Sequence, residues 1–462
     1  METLSLYVLV VWLLAQSMFC TGQEEDNFVF VILNQESSLH YNAAQQLASN
    51  ISLQSKQLGV PCVVHVSSED WPTLATWTYF PLLERLSDQH GSNSSWVVLL
   101  EEWTTVRLEK LLGILQHYSP TLPLFIGRAV KDREETIIHH FARVDHDHPF
   151  LYPDSRAGMV LSVPLLNRLA QRWSNTSMQI SSDFTIDAQY EFAKFVQSCE
   201  TELSHHEGFC MQEKPGCAVV FNPTRKCEEV VQAHDIHFAV KSCTQFHAER
   251  LPIIQATWLK DATNYAIYSD VEDAAFGTVS LGIPNTERGH CGKTMAIIRR
   301  VAQLTSVQWL AVVDDDTLIS VSRLRTLLSC YNSKDLVALG EKYGYGATTA
   351  RGYSYITGGG GMIFSKTLVE QLAKPGMCEC PSNDIPDDMF LGMCLKHASV
   401  PIIHSSLFHQ GRPVDYPEEL LEGELPVSFH RYWMLEPMQA FARWLDDNSP
   451  AGDSSSDIHS EL

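Results

Sequence analysis

The stretch WLAVVDDDTLIS, residues 309–320, carries an apolar run straight into three consecutive aspartates. Asp is depleted in strands, so a strand that ends this way needs a reason. One reason is a solvated turn. The other is a site for a hard divalent cation, which takes carboxylate oxygens. A second stretch of the same chain bears on the choice. SWVVLLEEWTTV, residues 95–106, aligns with residues 308–319 so that Trp96 falls on Trp309 and Thr104 on Thr317.

More matched blocks follow in the same order: RLEKLL (107–112) with RLRTLL (323–328), PLFIG (123–127) with LVALG (336–340), and AGMVLSVPLLNRLA (157–170) with GGMIFSKTLVEQLA (360–373). An ordered series of this kind marks an internal repeat. The 462-residue chain therefore reads as two copies of one α/β domain, 26–195 and 235–445, joined by a cysteine-rich linker at 196–234. In the second copy the runs HFAVKSC, NYAIYSD and QWLAVV alternate with helical stretches. One of these, FHAERLPIIQATWL, sets Leu251, Ile254 and Trp258 at helical spacing. Such alternation predicts a mostly parallel sheet with helices on both faces and ligands at the carboxyl ends of its strands.

The repeat supplies its own control. Where the second copy has Asp314, Asp315 and Asp316, the first has Glu101, Glu102 and Trp103, and an indole cannot ligate a metal. Where the second has Thr357, Gly358, Gly359, Gly360 and Gly361, the first reads DSRAG (154–158). Cation chemistry is thus assigned to the second copy. Strand alternation turns Asp314 and Asp316 to one side and Asp315 to the other, unless the turn reorients them.

Three further features of that copy can join the site. The four glycines suit a backbone that approaches a ligand closely. NDIPDDMFLGMCLK (383–396) offers Asp384, Asp387 and Asp388 at a helix start, with an Asp as N-cap and acids complementing the positive helix end. A carboxylate near a cation is also a candidate general base. HSSLFHQG (404–411) brings His404 and His409, and one imidazole beside two carboxylates is ordinary metal chemistry.

The totals narrow the partners. A formal charge of −22 repels nucleic acid and anionic membranes. An anionic substrate would need a cation. The apolar segment Leu4 to Phe19 suits a signal peptide cut near Gln23, with an uncleaved signal-anchor as the alternative and the one route to a membrane. Residues 446–462 are polar and are expected to form a flexible tail ending in His459-Ser460-Glu461-Leu462, close to a lumenal retrieval signal. Sequons at Asn50, Asn93 and Asn175 and twelve cysteines agree with the lumen of the endoplasmic reticulum. Cys199, Cys210, Cys217 and Cys227 lack zinc spacing and are expected to form disulfides within the linker. Cys378 and Cys380 stand too close for an easy mutual bridge.

VKSCTQFHAERLPIIQATWL, YSD, WLAVVDDDTLI, YITGGGGMIFS, IPDDMFLGMCL and LFHQG stand in the order seen in the Fringe-like β-1,3-glycosyltransferases, which the whole second copy resembles. The resemblance implies two tandem GT-A-like nucleotide-sugar-transferase domains, the first degenerate and the second catalytic. Duplication, lumenal ends and tail look most like the branch that extends O-linked fucose on thrombospondin type 1 repeats. That branch implies UDP-glucose as donor, manganese as cofactor and inversion at the anomeric carbon. Carried onto this sequence, Asp316 and His409 hold the metal with Asp314 close by, and Asp315 lies near the ribose or donor sugar. Asp388 is the base with Asp387 as rival, Gly358 to Gly361 line the sugar pocket, and Asp270 and Lys293 are further donor contacts. Two rivals stay open: a sister transferase using UDP-galactose or UDP-N-acetylglucosamine, and a non-enzymatic lumenal lectin or folding factor.

Overall fold

The computed structural model describes residues 27–72, 79–132, 138, 145, 147–175, 184–222, 227, 230–346, 352–421 and 424–447. The N-terminal apolar segment and the tail beyond Asp447 lie outside the described residues. No described helix is long and apolar enough to cross a membrane.

Two mixed sheets organise the chain. The first comprises β1 (Phe28–Leu33), β2 (Cys62–Val66), β3 (Trp96–Glu101), β4 (Phe125–Gly127), β5 (Met159–Ser162) and β6 (Leu203–His205), in the order β6-β4-β5-β3-β1-β2. The second comprises β7 (Ile236–Lys241), β8 (Tyr265–Ser269), β9 (Thr278–Ser280), β10 (Trp309–Asp314), β11 (Ala338–Gly340), β12 (Met362–Ser365) and β13 (Ile402–His404). Its order is β9-β8-β7-β10-β12-β11-β13. Apart from the edge strand β9, the two orders coincide, and so do the registers. Phe28 pairs with Trp96 and Leu33 with Glu101 in the first sheet. Ile236 pairs with Trp309 and Lys241 with Asp314 in the second.

The central strands are apolar on both faces because both faces are covered. In β3, Val97 and Leu99 enter one core while Trp96, Val98 and Leu100 enter another. In β10, Trp309, Ala311 and Val313 face one core and Leu310 and Val312 the other. One strand in each sheet runs against the rest: β5 against β3 and β4, and β12 against β10 and β11. This reversal matters for the site. Because β12 begins beside the carboxyl end of β10, the glycine loop that precedes it is delivered next to the aspartates.

The cysteine-rich segment is not a free linker. Its Leu203–His205 is the edge strand β6, paired with β4, and Val219–Phe221 pairs antiparallel with Thr104–Val106. Disulfides join Cys210–Cys217, Cys227–Cys330, Cys291–Cys380 and Cys378–Cys394. The expectation of pairing within the linker is corrected in two ways. Cys199 is a buried free thiol packed into the core of the first sheet, and Cys227 reaches across to the second copy. Cys62 and Cys243 are also free. The start of the expected tail is held too, since Arg323 Nε donates to Asp447 at 2.6 Å.

Mass-spectrometric mapping without reduction should recover these four pairs, with Cys62 alkylated in the native protein and Cys199 and Cys243 only after unfolding. Replacing Cys291 and Cys380 together by Ser should lower stability by about 2–4 kcal/mol in a denaturant titration, the usual worth of such a closure. Another recovered pairing would refute the assignment.

Candidate functional site

At the end of β10 the chain turns through Asp315 and Asp316 and begins a short strand, Thr317–Ile319. Side-chain bonds fix this turn. Trp258 Nε1 donates to the Thr317 carbonyl at 3.0 Å, and Thr317 Oγ1 donates to the Gly359 carbonyl at 2.9 Å. The strand then pairs antiparallel with Ser428–His430, setting Thr317 opposite His430.

The result splits the triplet. Asp315 folds back and is buried, accepting bonds from Ser242 Oγ at 2.7 Å and Arg250 Nη1 at 2.8 Å. Asp314 and Asp316 instead meet His430. Its Nε2 lies 3.2 Å from Asp316 and 3.8 Å from Asp314. One ligand atom from each of these three residues lies within 4.8 Å of the others, and among the described residues no other such group of His, Cys, Asp or Glu occurs. His430 Nδ1 faces the Gln410 carbonyl at 3.1 Å, which makes Nδ1 the donor and leaves Nε2 turned toward the carboxylates. Burial opposes ionisation of Asp316, but His430 and Arg250 hold its carboxyl down at about 2. Two carboxylates and one imidazole fit a divalent cation.

His409 is not part of this group, and its sequence assignment as a ligand is corrected. It pairs with Phe429 between adjacent parallel strands, its ring stacks on Phe429 at 4.4 Å, and its Nδ1 meets the Ser428 carbonyl at 3.0 Å. Neighbouring residues on a strand face opposite ways, so the face shared by His409 and Phe429 is not the face of His430. Burial pulls the His409 imidazole down to about 4. His404 is likewise elsewhere, its Nδ1 accepting the Lys342 amide at 3.1 Å.

The second half of the site is built around Lys241, the last residue of β7. Its buried ammonium lies 3.1 Å from Asp314 and 2.6 Å from Asp387. Asp387 also accepts from Thr294 Oγ1 at 2.5 Å. Burial works against its charge, but Lys241 and Thr294 keep its carboxyl below the ordinary range. Asp388, next on the helix Asp387–His397, has a different setting. It accepts from the Gly358 amide at 3.3 Å and the Met389 amide at 2.7 Å. Burial and then the charge of Asp387 push its carboxyl up to about 6. Pro386, not an aspartate, occupies the N-cap, and Asp384 is exposed and bonded to Ser382 at 2.5 Å.

The glycines are explained one by one. A Cβ on Gly359 would run into the His430 ring, and Gly361 has φ +103°, which L side chains rarely adopt. The Gly360 amide donates to Gln410 Oε1 at 3.1 Å. Gly358 stands beside Asp388 and Lys241, where an added Cβ would make only ordinary contacts at 3.8–3.9 Å. Asp270 accepts from Thr244 and Ser269 near the end of β8, and Lys293 Nζ donates to the Ser242 carbonyl at 2.5 Å. Both sit along the flank that holds Asp315 rather than among the metal-ligating groups.

The corresponding place in the first copy is chemically different. Opposite Thr104, which matches Thr317, stands Phe221 instead of His430. Across from Glu101 stands Leu33 instead of Lys241. Sequence reasoning missed Lys241, Arg250 and His430. A lysine closing the apolar run IHFAVK was a readable signal; His430 had none, because its place depends on a pairing between strands more than 100 residues apart.

Manganese titration on the folded protein should separate the two histidines. His430→Ala should weaken metal binding at least about tenfold, whereas His409→Gln should leave it unchanged. The reverse result would restore His409.

A family model described as Fringe-like matches residues 80–209 and 231–447. Over 428 residues the chain is 44% identical to the β-1,3-glucosyltransferase of Mus musculus, spanning 90% of this chain and 86% of the relative. The β-1,3-glucosyltransferase of Homo sapiens is also 44% identical over 428 residues, spanning 90% of this chain and 84% of the relative. The lunatic fringe β-1,3-N-acetylglucosaminyltransferase of Homo sapiens is 26% identical over 209 residues, 40% of this chain and 55% of its own length. With its two-sheet α/β architecture and a family match across both sheets, the chain belongs to the Fringe-like family.

Proposed function

We propose that this chain is an inverting β-1,3-glucosyltransferase of GT-A type that moves glucose from UDP-glucose to the 3-hydroxyl of O-linked fucose on thrombospondin type 1 repeats. The second copy is the catalytic domain and the first a non-catalytic relative. The observation that carries the reading is the joining of the Asp314–Asp316–His430 group to Asp387 and Asp388 through Lys241, in a chain 44% identical over 90% of its length to β-1,3-glucosyltransferases.

Asp314, Asp316 and His430 would hold a divalent cation, manganese in this reading. Such an ion supplies Lewis acidity that neutralises a departing diphosphate, which a protein of charge −22 receives poorly by itself. The chain's own residues do the rest. Asp387 is bonded by Lys241 and Thr294 and held ionised below the ordinary carboxylate range, which makes it the poorer acceptor of a proton. Asp388, beside Gly358, is ionised at neutral pH but basic enough to accept one. It takes the proton of the fucose 3-hydroxyl as that oxygen bonds to the anomeric carbon, while the bond to UDP breaks and UDP leaves with the electron pair. Attack from the face opposite UDP converts an α-linked donor into a β product. The lumenal location rests on the retrieval-like tail, the sequons and the disulfides.

The donor is tested by presenting UDP-glucose, UDP-galactose and UDP-N-acetylglucosamine separately to a fucosylated thrombospondin repeat and weighing the product. Hexose addition from UDP-glucose alone is expected; preference for another donor would assign a sister activity, and no transfer with any would favour a lectin or folding factor. Asp388→Asn should lower turnover at least ~100-fold with UDP binding retained. Because the base must be ionised, wild-type turnover should fall about tenfold per pH unit below about 6 and level off above it. Normal turnover in Asp388→Asn would hand the role to Asp387.

A further inference from the structure

The LFHQG motif reaches the site through a residue other than its histidines. His409 faces Phe429, but the next residue, Gln410, touches three groups at once. Its carbonyl lies 3.1 Å from His430 Nδ1, its Oε1 accepts the Gly360 amide at 3.1 Å, and its own amide donates to Glu341. Glu341 is buried, on the wall of a cavity of about 1120 Å³ between the strand ends of the two copies. Its other oxygen accepts the Tyr416 hydroxyl at 3.2 Å, and that hydroxyl accepts the Gly411 amide at 3.1 Å. One run of bonds thus leads from a buried carboxyl to the metal-ligating imidazole and to the glycine loop.

The loop depends on this run. Gly360 is buried, and a buried amide without an acceptor is costly. The loop's carbonyls are held elsewhere, Gly359 by Thr317 Oγ1 at 2.9 Å and Gly360 by Ser428 Oγ at 2.5 Å. Gln410 holds the amide side. Along the loop in one direction, Gly359 lies against the His430 ring, and one residue further the Gly358 amide donates to Asp388 at 3.3 Å. A shift at Gly360 is therefore passed both to a metal ligand and to the base.

The first copy supplies the comparison. Phe209 pairs with Val219 as Phe408 pairs with Ser428, and Phe221 answers to His430 two residues beyond. Both stretches then leave a two-residue strand in a bend, at Met211 in the first copy and Gln410 in the second. Arg128 follows PLFIG where Glu341 follows LVALG, and Ala157 stands for Gly360. Met211, Ala157 and Phe221 pack into one apolar core. The fold of this turn is thus satisfied by a thioether, a weak acceptor. The amide, the acid beneath it and the imidazole above it occur together in the copy that carries the aspartates.

We propose that Gln410, anchored by Glu341, is a positioning residue of the transferase site: its carbonyl orients the His430 imidazole toward the cation, and its side chain holds the glycine loop that bears on Asp388. The turnover arm of the test rests on the catalytic reading above, and the manganese arm does not.

Gln410→Met is the first copy's own residue at this place; it keeps the length and removes the oxygen. Gln410→Glu keeps an acceptor. With UDP-glucose and a fucosylated repeat, Gln410→Met should lower kcat at least about tenfold with KM for UDP-glucose within about threefold of wild type, and Gln410→Glu should recover most of the loss. In manganese titration of the full chain, Gln410→Met and Glu341→Ala should each bind about tenfold more weakly, while Glu341→Gln, which still accepts the Gln410 amide, should bind as the wild type does. Should Glu341→Ala fail to fold, Gln410→Met carries both arms. The proposal is overturned if Gln410→Met keeps wild-type kcat or wild-type manganese affinity, if Gln410→Glu is as slow as Gln410→Met, or if folded Glu341→Ala binds manganese undiminished. A wild type that binds manganese but transfers no sugar would overturn the catalytic reading, and the manganese arm would still decide this one.

Discussion

A single buried ammonium group ties the second copy's chemistry together. Lys241 lies between Asp314 and Asp387, at 3.1 and 2.6 Å, and joins the end of a central strand to the start of a distant helix. Burying a charge costs several kcal/mol unless it is paired, so this lysine holds both carboxylates where they are. Two consequences follow. Asp314 is kept beside Asp316 and His430, and Asp387 stays ionised, so that its charge adds to burial in raising Asp388. The ammonium itself pulls Asp388 down, but burial and the charge of Asp387 outweigh it.

The comparison with the first copy shows how little of the fold this chemistry requires. Both sheets share strand order, register and a reversed strand. Yet at the strand ends Leu33 stands for Lys241, Trp103 for Asp316 and Phe221 for His430. The cores fill both faces of each sheet with the same apolar pattern, and that pattern ends where the sites begin. A fold held by its strand interiors leaves its strand ends free to change chemistry.

The two copies are joined by bonds that touch the same strand ends. Gln35 exchanges two hydrogen bonds with the backbone of His404, at 3.0 and 2.6 Å, and His40 Nε2 meets the Tyr331 hydroxyl at 3.1 Å. Arg156 reaches Glu424 and Leu420, on the segment that leads into the strand carrying His430. From the other side, Glu341 accepts the Gln410 amide, and Gln410 in turn bonds both the Gly360 amide and the His430 ring. The first copy's strand ends therefore serve as a brace for the loops that shape the second copy's site, as well as lining the cavity between them.

The amino-acid sequence by itself determined the repeat, the apolar strand runs, and the contrast between Asp314, Asp315 and Asp316 and their first-copy counterparts. These are local patterns: a strand buried on both faces needs an unbroken apolar run. The parting of Asp315 from Asp314 and Asp316 was set instead by the turn that Trp258 and Gly359 fix. The sequence also placed Asp387 and Asp388 together at a helix start, where their side chains diverge by about 100°. Which of the two is free was decided by Lys241 and Thr294, reached only after folding. The choice between His409 and His430, and the partners of Cys199 and Cys227, also waited for tertiary structure. In each case the outcome depends on which distant strand or helix lies alongside. A side chain's face is fixed by its own strand, but what that face meets is fixed by the partner's register.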